Sequence, residues 1–417
     1  MEKFVIEGGI PLEGTVRVSG SKNAALPIIA ACLLTEGECY LENIPRLTDI
    51  QVMGEVLKGL GVKVKREEEK LKINAGYLTQ YEPPYELVRK MRASFLILGP
   101  LLARLGRTRV ALPGGCNIGR RPVDLHLKGL DQMGAKIEIK HGYVEAVAER
   151  GLQGANIHFD FPSVGATENI VLAACLANGT TTIENPSRTP EVLDLINFLR
   201  KMGVKIDDKV NLIKIKGERE ISPANYSVIS DRIEAGTLLM AGAISKGKIT
   251  LKGGNPYHLG TFLIKLKEMG VKIYISDSSI KITRESDINP VRVKTLSYPG
   301  FSTDFQPQLS SLACLAKGKS VIEETIFKNR FTHIPELRRM GAQIKEGNSR
   351  IIIEGVPFLS GAPVTASDIR GGVALVLAGL AARGESEVFK IHHIDRGYER
   401  LEEKLSQLRA RIRRKEG

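Results

Sequence analysis

The sequence contains no tryptophan, and aromatic residues make up only 5% of its 417 residues. Proteins that bind single-stranded nucleic acid commonly stack the bases on aromatic side chains, so this composition argues against such a surface. The formal net charge is nevertheless +13, and a basic chain binds either nucleic acid or a strongly anionic small molecule. Because the basic residues are spread along the chain, we predict a small anionic substrate and no nucleic-acid partner.

Long apolar runs are also missing. No run reaches the roughly 18 to 20 residues that span a membrane, and the first residues lack the layout of a secretion signal. The adjacent His392 and His393 have no companion metal-ligand motif. We therefore predict a cytoplasmic protein with no membrane association, no metal and no organic cofactor.

Cysteine is scarce, and its number is odd. The five positions are Cys32, Cys39, Cys116, Cys175 and Cys314. Wide spacing and the missing secretion signal predict neither a disulfide framework nor a zinc site.

What the sequence does contain is an internal repeat of about 70 residues, present in about six copies. In each copy a helix-like segment ends and a strand of the Gly-Val-Lys-Ile type follows. The strand begins at Gly61, Gly134, Gly203, Gly270 and Gly341, and a degenerate copy begins at Arg409. A chain of this length exceeds one ordinary core, so two domains of about 200 residues are expected.

Each copy also holds an apolar helix of about 15 residues, which is apolar nearly all round and is therefore predicted to be buried. These helices are predicted at 23–34, 93–105, 166–178, 234–245, 304–317 and 371–383. The repeat reads as a βαβαββ-type unit, so the predicted fold class is α/β. Three copies in each domain would pack their apolar helices together, with the sheets outside.

Three cysteines occupy matching places in these helices: Cys32, Cys175 and Cys314. We predict that they pack in the core, as does Cys39 in the following strand, because free cysteine behaves as a small hydrophobe.

Polar residues stand at the predicted starts of the apolar helices, where backbone N–H groups are unpaired and the helix dipole is positive. Three of them fit either capping or ligand binding: Ser21, Ser163 and Asp231. Four others are cations: Lys22, Arg92, Arg232 and Arg370. A cation opposes the dipole there, so these four favour an anionic ligand, with a salt bridge to a nearby acid as the alternative.

Residues 112–126 form a glycine-rich stretch in which Cys116 lies beside Arg120 and Arg121. Glycines permit a loop that folds over a ligand, and nearby cations favour the thiolate. The stretch predicts a reactive cysteine, with an ordinary turn as the alternative. His126 is predicted to be a structural hydrogen bonder.

Four stretches resemble the enolpyruvyl transferase family: residues 19–27, the Cys116 loop through His126, residues 163–167 and residues 393–400. The resemblance covers essentially the whole chain and implies two inside-out α/β barrel-like domains, each of three repeats. It places one domain at 22–229 and the other at 1–21 plus 230–417. It also implies transfer of the carboxyvinyl group of phosphoenolpyruvate to the 3-hydroxyl of UDP-N-acetylglucosamine for peptidoglycan synthesis, with no cofactor and no obligate protein partner.

The resemblance further implies residue roles. Cys116 resembles the proton donor to the vinyl carbon and Asp304 the base for the sugar hydroxyl, with Lys22 and Arg396 as further catalytic residues. The residues that resemble phosphoenolpyruvate ligands are Lys22, Asn23, Arg121, Arg330, Arg370 and Arg396. Those that resemble UDP-N-acetylglucosamine ligands are Asn23, Arg92, Arg121, Pro122, Val123, Asp124, Leu125, Ser163, Val164, Gly165, Asp304 and Ile326. Many members carry a lysine where this chain has Phe161, so a phosphate contact is not expected there.

Two alternatives stay open at this point. One is an enzyme of the same chemistry that uses shikimate 3-phosphate as acceptor, against which Cys-dependent fosfomycin sensitivity would argue. The other is a basic, non-catalytic repeat protein that binds nucleic acid in a salt-dependent manner.

Overall fold

The computed structural model describes residues 2–113, 123–276 and 279–416. The described chain forms two compact units. The N-terminal unit runs from Gly20 to Ile229, and the C-terminal unit comprises the residues up to Ser19 and those from Ser230 onward. Three predicted site residues lie outside the described residues, namely Cys116, Arg121 and Pro122, and so does the neighbouring Arg120.

Apart from the short helix Tyr85–Lys90, the helices alternate between largely buried apolar segments and amphipathic ones. The α-helices of the described residues are α1 (Lys22–Ala31), α2 (Thr48–Gly59), α3 (Tyr85–Lys90), α4 (Leu98–Leu105), α5 (Asp124–Gln132), α6 (Val164–Ala174), α7 (Pro190–Lys201), α8 (Arg232–Ile244), α9 (Gly260–Glu268), α10 (Gln306–Ala313), α11 (Ile334–Arg339), α12 (Ile369–Ala381) and α13 (Leu401–Gln407). Short 3-10 segments are Cys32–Leu34, Arg92–Ile97, Pro256–Leu259, Thr303–Phe305 and Ile391–Arg396. No helix in the described ranges combines the length and apolar character needed to cross a bilayer.

The strands are short and numerous. They are β1 (Lys3–Glu7), β2 (Glu13–Arg17), β3 (Glu38–Glu42), β4 (Lys63–Glu67), β5 (Lys70–Asn74), β6 (Arg107–Ala111), β7 (Lys136–Lys140), β8 (Tyr143–Val147), β9 (Asn156–His158), β10 (Thr180–Glu184), β11 (Lys205–Lys209), β12 (Leu212–Lys216), β13 (Asn225–Ser227), β14 (Lys248–Lys252), β15 (Lys272–Ser276), β16 (Ser279–Thr283), β17 (Arg292–Lys294), β18 (Lys319–Glu323), β19 (Gln343–Glu346), β20 (Arg350–Glu354), β21 (Pro363–Thr365), β22 (Glu385–Phe389) and β23 (Arg411–Lys415).

These strands form six separate sheets, three in each unit. In a representative sheet, β9 pairs in parallel with β10, and β10 then pairs antiparallel with the hairpin of β12 and β11. The register aligns one apolar face, as where Ile249 of β14 faces Ile282 of β16, which in turn faces Ile273 of β15. Each repeat therefore supplies most of one sheet, while β13 completes the sheet of β3 and β2 completes the sheet of β14. The predicted six-copy α/β fold is confirmed.

The last repeat is completed from the other end of the chain. Its strand β22 pairs with β1, and β1 pairs with β23, so the N-terminal strand takes the hairpin position that β12 or β16 holds elsewhere.

One sheet, β6-β8-β7, has three strands within the described residues. The Tyr81 carbonyl accepts hydrogen bonds from the Arg109 N–H at 3.1 Å and the Thr108 hydroxyl at 3.0 Å, so this segment lies beside β6. Pro83 and Pro84 follow directly, and because proline has no N–H to donate, the pairing does not extend into a strand.

The apolar helices are the cores of both units, as predicted. In α8 every residue from Ile233 to Ile244 is buried. The helices α8, α10 and α12 pack against one another, while in the N-terminal unit α4 packs on α6 and the Arg92–Ile97 segment on α1. Close approach is built in at Gly236, where an added Cβ would lie 2.3 Å from the Phe305 ring.

The three matching cysteines confirm their predicted packing role. Cys32, Cys175 and Cys314 follow directly on α1, α6 and α10, and each thiol lies 3.2 to 3.4 Å from the carbonyl oxygen four residues earlier. All three are buried, and burial raises the pKa of Cys314 to about 12. They are therefore unreactive core residues.

Candidate active site

The starts of the apolar helices are capped by side chains. Ser21 and Ser163 accept hydrogen bonds from backbone N–H groups three residues on, at 3.3 and 3.4 Å. Asp231 accepts from the Ile233 and Glu234 N–H groups at 2.7 and 3.0 Å, and Asp368 caps α12 in the same way. For Ser21, Ser163 and Asp231, capping is thus the role that the contacts display.

In the N-terminal unit, Lys22 forms a buried ion pair. Its Nζ lies 2.9 Å from Asp49 Oδ2, and the two side chains are 9% and 6% exposed. Asp49 belongs to the first turn of α2, where a carboxylate also complements the helix dipole. The half-buried Asn23 follows Lys22 in α1. The sequence reasoning missed Asp49, which is 27 residues away and carries no motif.

His126 is confirmed as a structural residue. Its Nδ1 lies 3.1 Å from Asn169 Nδ2, and the Asn169 amide also donates to the Phe95 carbonyl and accepts from the Gly99 N–H. Burial, and to a lesser extent the charge of Arg92, lowers the pKa of His126 to about 3, so the ring is neutral at pH 7. Because it is neutral, it can accept the Asn169 proton.

The structure brings the starts of α5 and α6 together. An added Cβ on Gly165 would lie 3.2 Å from the His126 ring, which connects the two predicted nucleotide-sugar segments. In the first, Val123 is buried, Asp124 exposed and Leu125 half-buried; in the second, Ser163 is half-buried and Val164 39% exposed. Phe161 is 57% exposed nearby in sequence.

The C-terminal unit places Asp304 between two buried arginines. Arg330 Nη2 donates to Asp304 Oδ1 at 2.8 Å, and Arg370 Nη2 lies 3.5 Å from Asp304 Oδ2. Arg330 also lies 3.7 Å from Asp368. The side chains of Arg330 and Arg370 are 2% and 6% exposed, whereas that of Asp304 is 28% exposed. Two guanidinium forks therefore face one partly accessible carboxylate.

A hydroxyl cluster lies behind Arg370. Its Nη1 donates to the Tyr398 hydroxyl at 3.0 Å, and that hydroxyl contacts Thr237 Oγ1 at 2.9 Å and Gln308 Nε2 at 3.2 Å. Burial opposes the charge of Arg370, but Tyr398, Asp304 and Asp231 together hold its pKa above the ordinary value. The sequence reasoning assigned no contact to these partners, although a buried tyrosine hydroxyl always needs one.

Two further predicted residues, Arg396 and Ile326, belong to the same unit. Arg396 ends the Ile391–Arg396 segment, directly after Asp395, which Arg414 grips with two hydrogen bonds of 2.7 and 3.0 Å. Ile326 is 39% exposed, and its N–H donates to Glu324 Oε1 at 2.8 Å.

Arg232 lines a cavity of about 270 Å³ with Tyr298, Thr261 and Ser302, and its guanidinium lies 5.7 Å from the Tyr298 ring centre.

The described fold is shared with solved enolpyruvyl transferases. The enolpyruvyl transferase NikO from Streptomyces tendae superposes with a TM-score of 0.91 at 26% identity, covering 99% of this chain and 98% of that one. EPSP synthase from Acinetobacter baumannii superposes with a TM-score of 0.79 at 19% identity, covering both chains fully. The fold is therefore that of an enolpyruvyl transferase.

Sequence comparison gives the family. Residues 6–405 match the family described as EPSP synthase (3-phosphoshikimate 1-carboxyvinyltransferase). UDP-N-acetylglucosamine 1-carboxyvinyltransferase 2 of Carboxydothermus hydrogenoformans is 51% identical over 417 residues, with 99% of each chain covered. UDP-N-acetylglucosamine 1-carboxyvinyltransferase 1 of Caldanaerobacter subterraneus subsp. tengcongensis is 50% identical at the same coverage. The chain belongs to this carboxyvinyltransferase family.

Proposed function

We propose that this protein transfers the carboxyvinyl group of phosphoenolpyruvate to the 3-hydroxyl of UDP-N-acetylglucosamine, releasing phosphate, as a step of peptidoglycan synthesis. The observation that carries the proposal is the 51% identity, over 99% of both chains, to a relative named for this reaction. The cluster of Asp304, Arg330 and Arg370 supports it, because it combines anion-binding forks with a carboxylate base.

The arginines bind the anionic groups of phosphoenolpyruvate. A guanidinium presents parallel N–H donors that match a carboxylate or a phosphate, and burial strengthens the attraction. Arg330 and Arg370 are buried arginines of the C-terminal unit that both face Asp304. The full set that we assign to phosphoenolpyruvate is Lys22, Asn23, Arg121, Arg330, Arg370 and Arg396.

Asp304 is the base that takes the proton of the sugar 3-hydroxyl. Its carboxylate is partly accessible, as a base that meets substrate must be, but both oxygens face arginines. Paired in this way, the carboxylate is a weak base. Phosphoenolpyruvate that binds the same arginines offsets their charge and makes Asp304 more basic, so binding of the donor activates the base.

Cys116 supplies the proton to the vinyl carbon. The sugar oxygen then bonds to C2, giving a tetrahedral intermediate, and the C2–O bond to phosphate breaks as the proton on the methyl carbon is lost again. Arginines that hold the phosphate stabilise the developing negative charge. Replacing Cys116 by alanine is expected to abolish turnover, whereas Cys116→Asp keeps some activity because a carboxylic acid still donates a proton.

We assign twelve residues to the acceptor, several of them at the starts of α5 and α6. The assigned residues are Asn23, Arg92, Arg121, Pro122, Val123, Asp124, Leu125, Ser163, Val164, Gly165, Asp304 and Ile326. Of these, Asp124, Val164 and Ile326 are exposed enough to meet a ligand directly.

The test is phosphate release from phosphoenolpyruvate with UDP-N-acetylglucosamine or shikimate 3-phosphate as acceptor, in parallel. Release with the nucleotide sugar alone is expected. Release with shikimate 3-phosphate alone would overturn the acceptor but keep the chemistry, and release with neither would overturn the proposed function.

A further inference from the structure

The Tyr398 hydroxyl is a buried junction of three hydrogen bonds. Its partners come from three different segments: Arg370 from α12 at 3.0 Å, Thr237 from α8 at 2.9 Å and Gln308 from α10 at 3.2 Å. Tyr398 is 1% exposed, and Gln308 and Thr237 are 0% and 1% exposed. Because α8, α10 and α12 are the core helices of the unit, this junction is fixed by the scaffold itself.

The donors and acceptors of the junction can be assigned. Arg370 and the Gln308 amide nitrogen have only protons to offer, so the Tyr398 oxygen accepts from both. Thr237 gives its own proton to the Ile233 carbonyl at 2.8 Å. Its oxygen is therefore left to accept the proton of Tyr398, and the junction has one direction from Arg370 through Tyr398 and Thr237 to the backbone of α8.

Arg370 is held at both ends of its fork by this arrangement. One nitrogen donates to the rigid Tyr398 hydroxyl, and the other lies 3.5 Å from Asp304. A long arginine side chain loses much conformational freedom when it is ordered, so an acceptor that orders it beforehand lowers the cost of binding an anion.

We propose that Tyr398 is the positioning residue of Arg370: its hydroxyl, oriented by Thr237 and Gln308, fixes the guanidinium for the anionic donor substrate. This inference rests on the proposed function only in taking Arg370 as a ligand of phosphoenolpyruvate. Tyr398 itself touches no substrate in this proposal. Its effect is expected on the donor and not on the nucleotide sugar.

The test is Tyr398→Phe, which removes one oxygen and keeps the ring. We expect the KM for phosphoenolpyruvate to rise about tenfold, as for loss of one hydrogen bond to a charged group, while the KM for UDP-N-acetylglucosamine stays unchanged. Thr237→Val is expected to raise the KM for phosphoenolpyruvate by a smaller factor. Thr237→Ser keeps the hydroxyl and is expected to keep the wild-type KM.

The matched control is Tyr226→Phe in the N-terminal unit. The Tyr226 hydroxyl also donates a hydrogen bond, in its case to Asp194 Oδ1 at 2.6 Å, and its hydrogen-bond partners include neither Arg330 nor Arg370. Its loss is expected to lower the melting temperature without changing either KM. If Tyr398→Phe behaves like this control, its role is structural and the inference is wrong.

Equilibrium binding of phosphoenolpyruvate alone separates this inference from the proposed function. A wild-type protein that binds phosphoenolpyruvate but transfers nothing would contradict the proposed function, while weaker binding by Tyr398→Phe would still support the positioning role. A wild-type protein that does not bind phosphoenolpyruvate would overturn the positioning role, because Arg370 would then have no anion to hold.

Discussion

The two units share one repeat but balance charge differently at the starts of their core helices. The C-terminal unit surrounds Asp304 with Arg330 and Arg370, and supports them with Asp368 and Tyr398. In the N-terminal unit, the start of α1 instead carries the buried pair of Lys22 and Asp49, and a neutral His126 is hydrogen-bonded to Asn169.

This difference teaches which part of the repeat is free to vary. The helix bodies must stay apolar because they form the core, as the fully buried Ile233–Ile244 stretch shows. The helix starts lie at the edge of the core, where the first N–H groups have no partner within the helix. Capping, charged or neutral side chains can therefore stand there at little cost to packing. We therefore assign the base Asp304 and its arginine partners to the C-terminal unit. We assign Lys22, Asn23 and part of the acceptor recognition to the helix starts of the N-terminal unit.

The largest effect is expected when the base Asp304 is removed from between Arg330 and Arg370. Asp304→Asn should reduce phosphate release about a thousandfold, because general bases contribute 10²- to 10⁴-fold. The measurement is kcat with both substrates saturating. Asp287→Asn is the control, since Asp287 pairs with Lys317 in an exposed position of the same unit. Near-normal turnover by Asp304→Asn would remove Asp304 from the mechanism.

The next largest effect is expected when the buried ion pair of Lys22 and Asp49 in the N-terminal unit is broken. Asp49→Asn leaves the buried Lys22 charge facing a neutral amide and should lower the free energy of unfolding by about 3 kcal/mol. Urea unfolding measures it. Glu55→Gln, which breaks the exposed Glu55–Lys58 pair on the same helix, should change stability very little. Equal changes in the free energy of unfolding would mean that the buried pair of Lys22 and Asp49 stabilises the fold no more than the exposed pair does.

A third prediction compares one buried carboxyl in each unit through pH. Burial raises the pKa of Glu234 in the C-terminal unit to about 7 from an ordinary 4.5, in spite of its Lys404 partner. Burial also raises the pKa of Asp194 in the N-terminal unit to about 6 from 3.8. Both folded pKa values are above the unfolded ones, so each carboxyl's contribution is present at low pH and is lost as pH rises.

The expected loss for Glu234 is about 3 kcal/mol between pH 4.5 and 7. Glu234→Gln should abolish that pH dependence. Asp194→Asn should abolish the loss of stability that its carboxyl causes between about pH 4 and pH 6. Urea unfolding at intervals of half a pH unit gives both curves. A wild-type stability that rises from pH 6 to 7, with Glu234→Gln unchanged, would contradict the sign.

How far the sequence predicts this molecule depends on the kind of feature. Periodic apolar helices and recurring glycines are local patterns, so the six repeats, the buried helices and the packing of Cys32, Cys175 and Cys314 were all predictable. The partners in the charged cluster are distant in sequence: Arg370 meets Asp304 across 66 residues. No local pattern encodes such a contact, and only the resemblance to a family pointed to the residues involved.

The three-stranded sheet β6-β8-β7 shows that the repeat pattern can also predict an element that does not form. The repeat predicts a fourth strand before β6, but Pro83 and Pro84 have no N–H to donate. The segment contacts β6 through the Tyr81 carbonyl and the Glu82 carboxylate, without forming a strand. The glycine-rich stretch around Cys116 lies outside the described residues, so its predicted roles stay predictions.

The smallest effect is expected at the turn that follows the amphipathic helix of each repeat. Five copies place glycine there with φ between 89 and 101°, and the sixth places Arg409 with φ of 71°. The left-handed region costs a residue with a Cβ about 1 kcal/mol. Gly203→Ala in one unit and Gly341→Ala in the other, where an added Cβ meets nothing within 4 Å, should each destabilise by about 1 kcal/mol.

Arg409→Gly should act in the opposite direction and stabilise by about 0.5 kcal/mol, since relief of the left-handed strain is partly offset by the greater freedom of glycine in the unfolded chain. The Arg409–Glu13 ion pair that it removes is exposed on both sides, so its loss weighs little. Urea unfolding of the three variants measures the turn alone, because none of these residues is assigned to substrate. A destabilising Arg409→Gly would show that the sixth repeat, which borrows β1 from the other end of the chain, needs the Arg409–Glu13 contact to β2 more than it needs a relaxed turn.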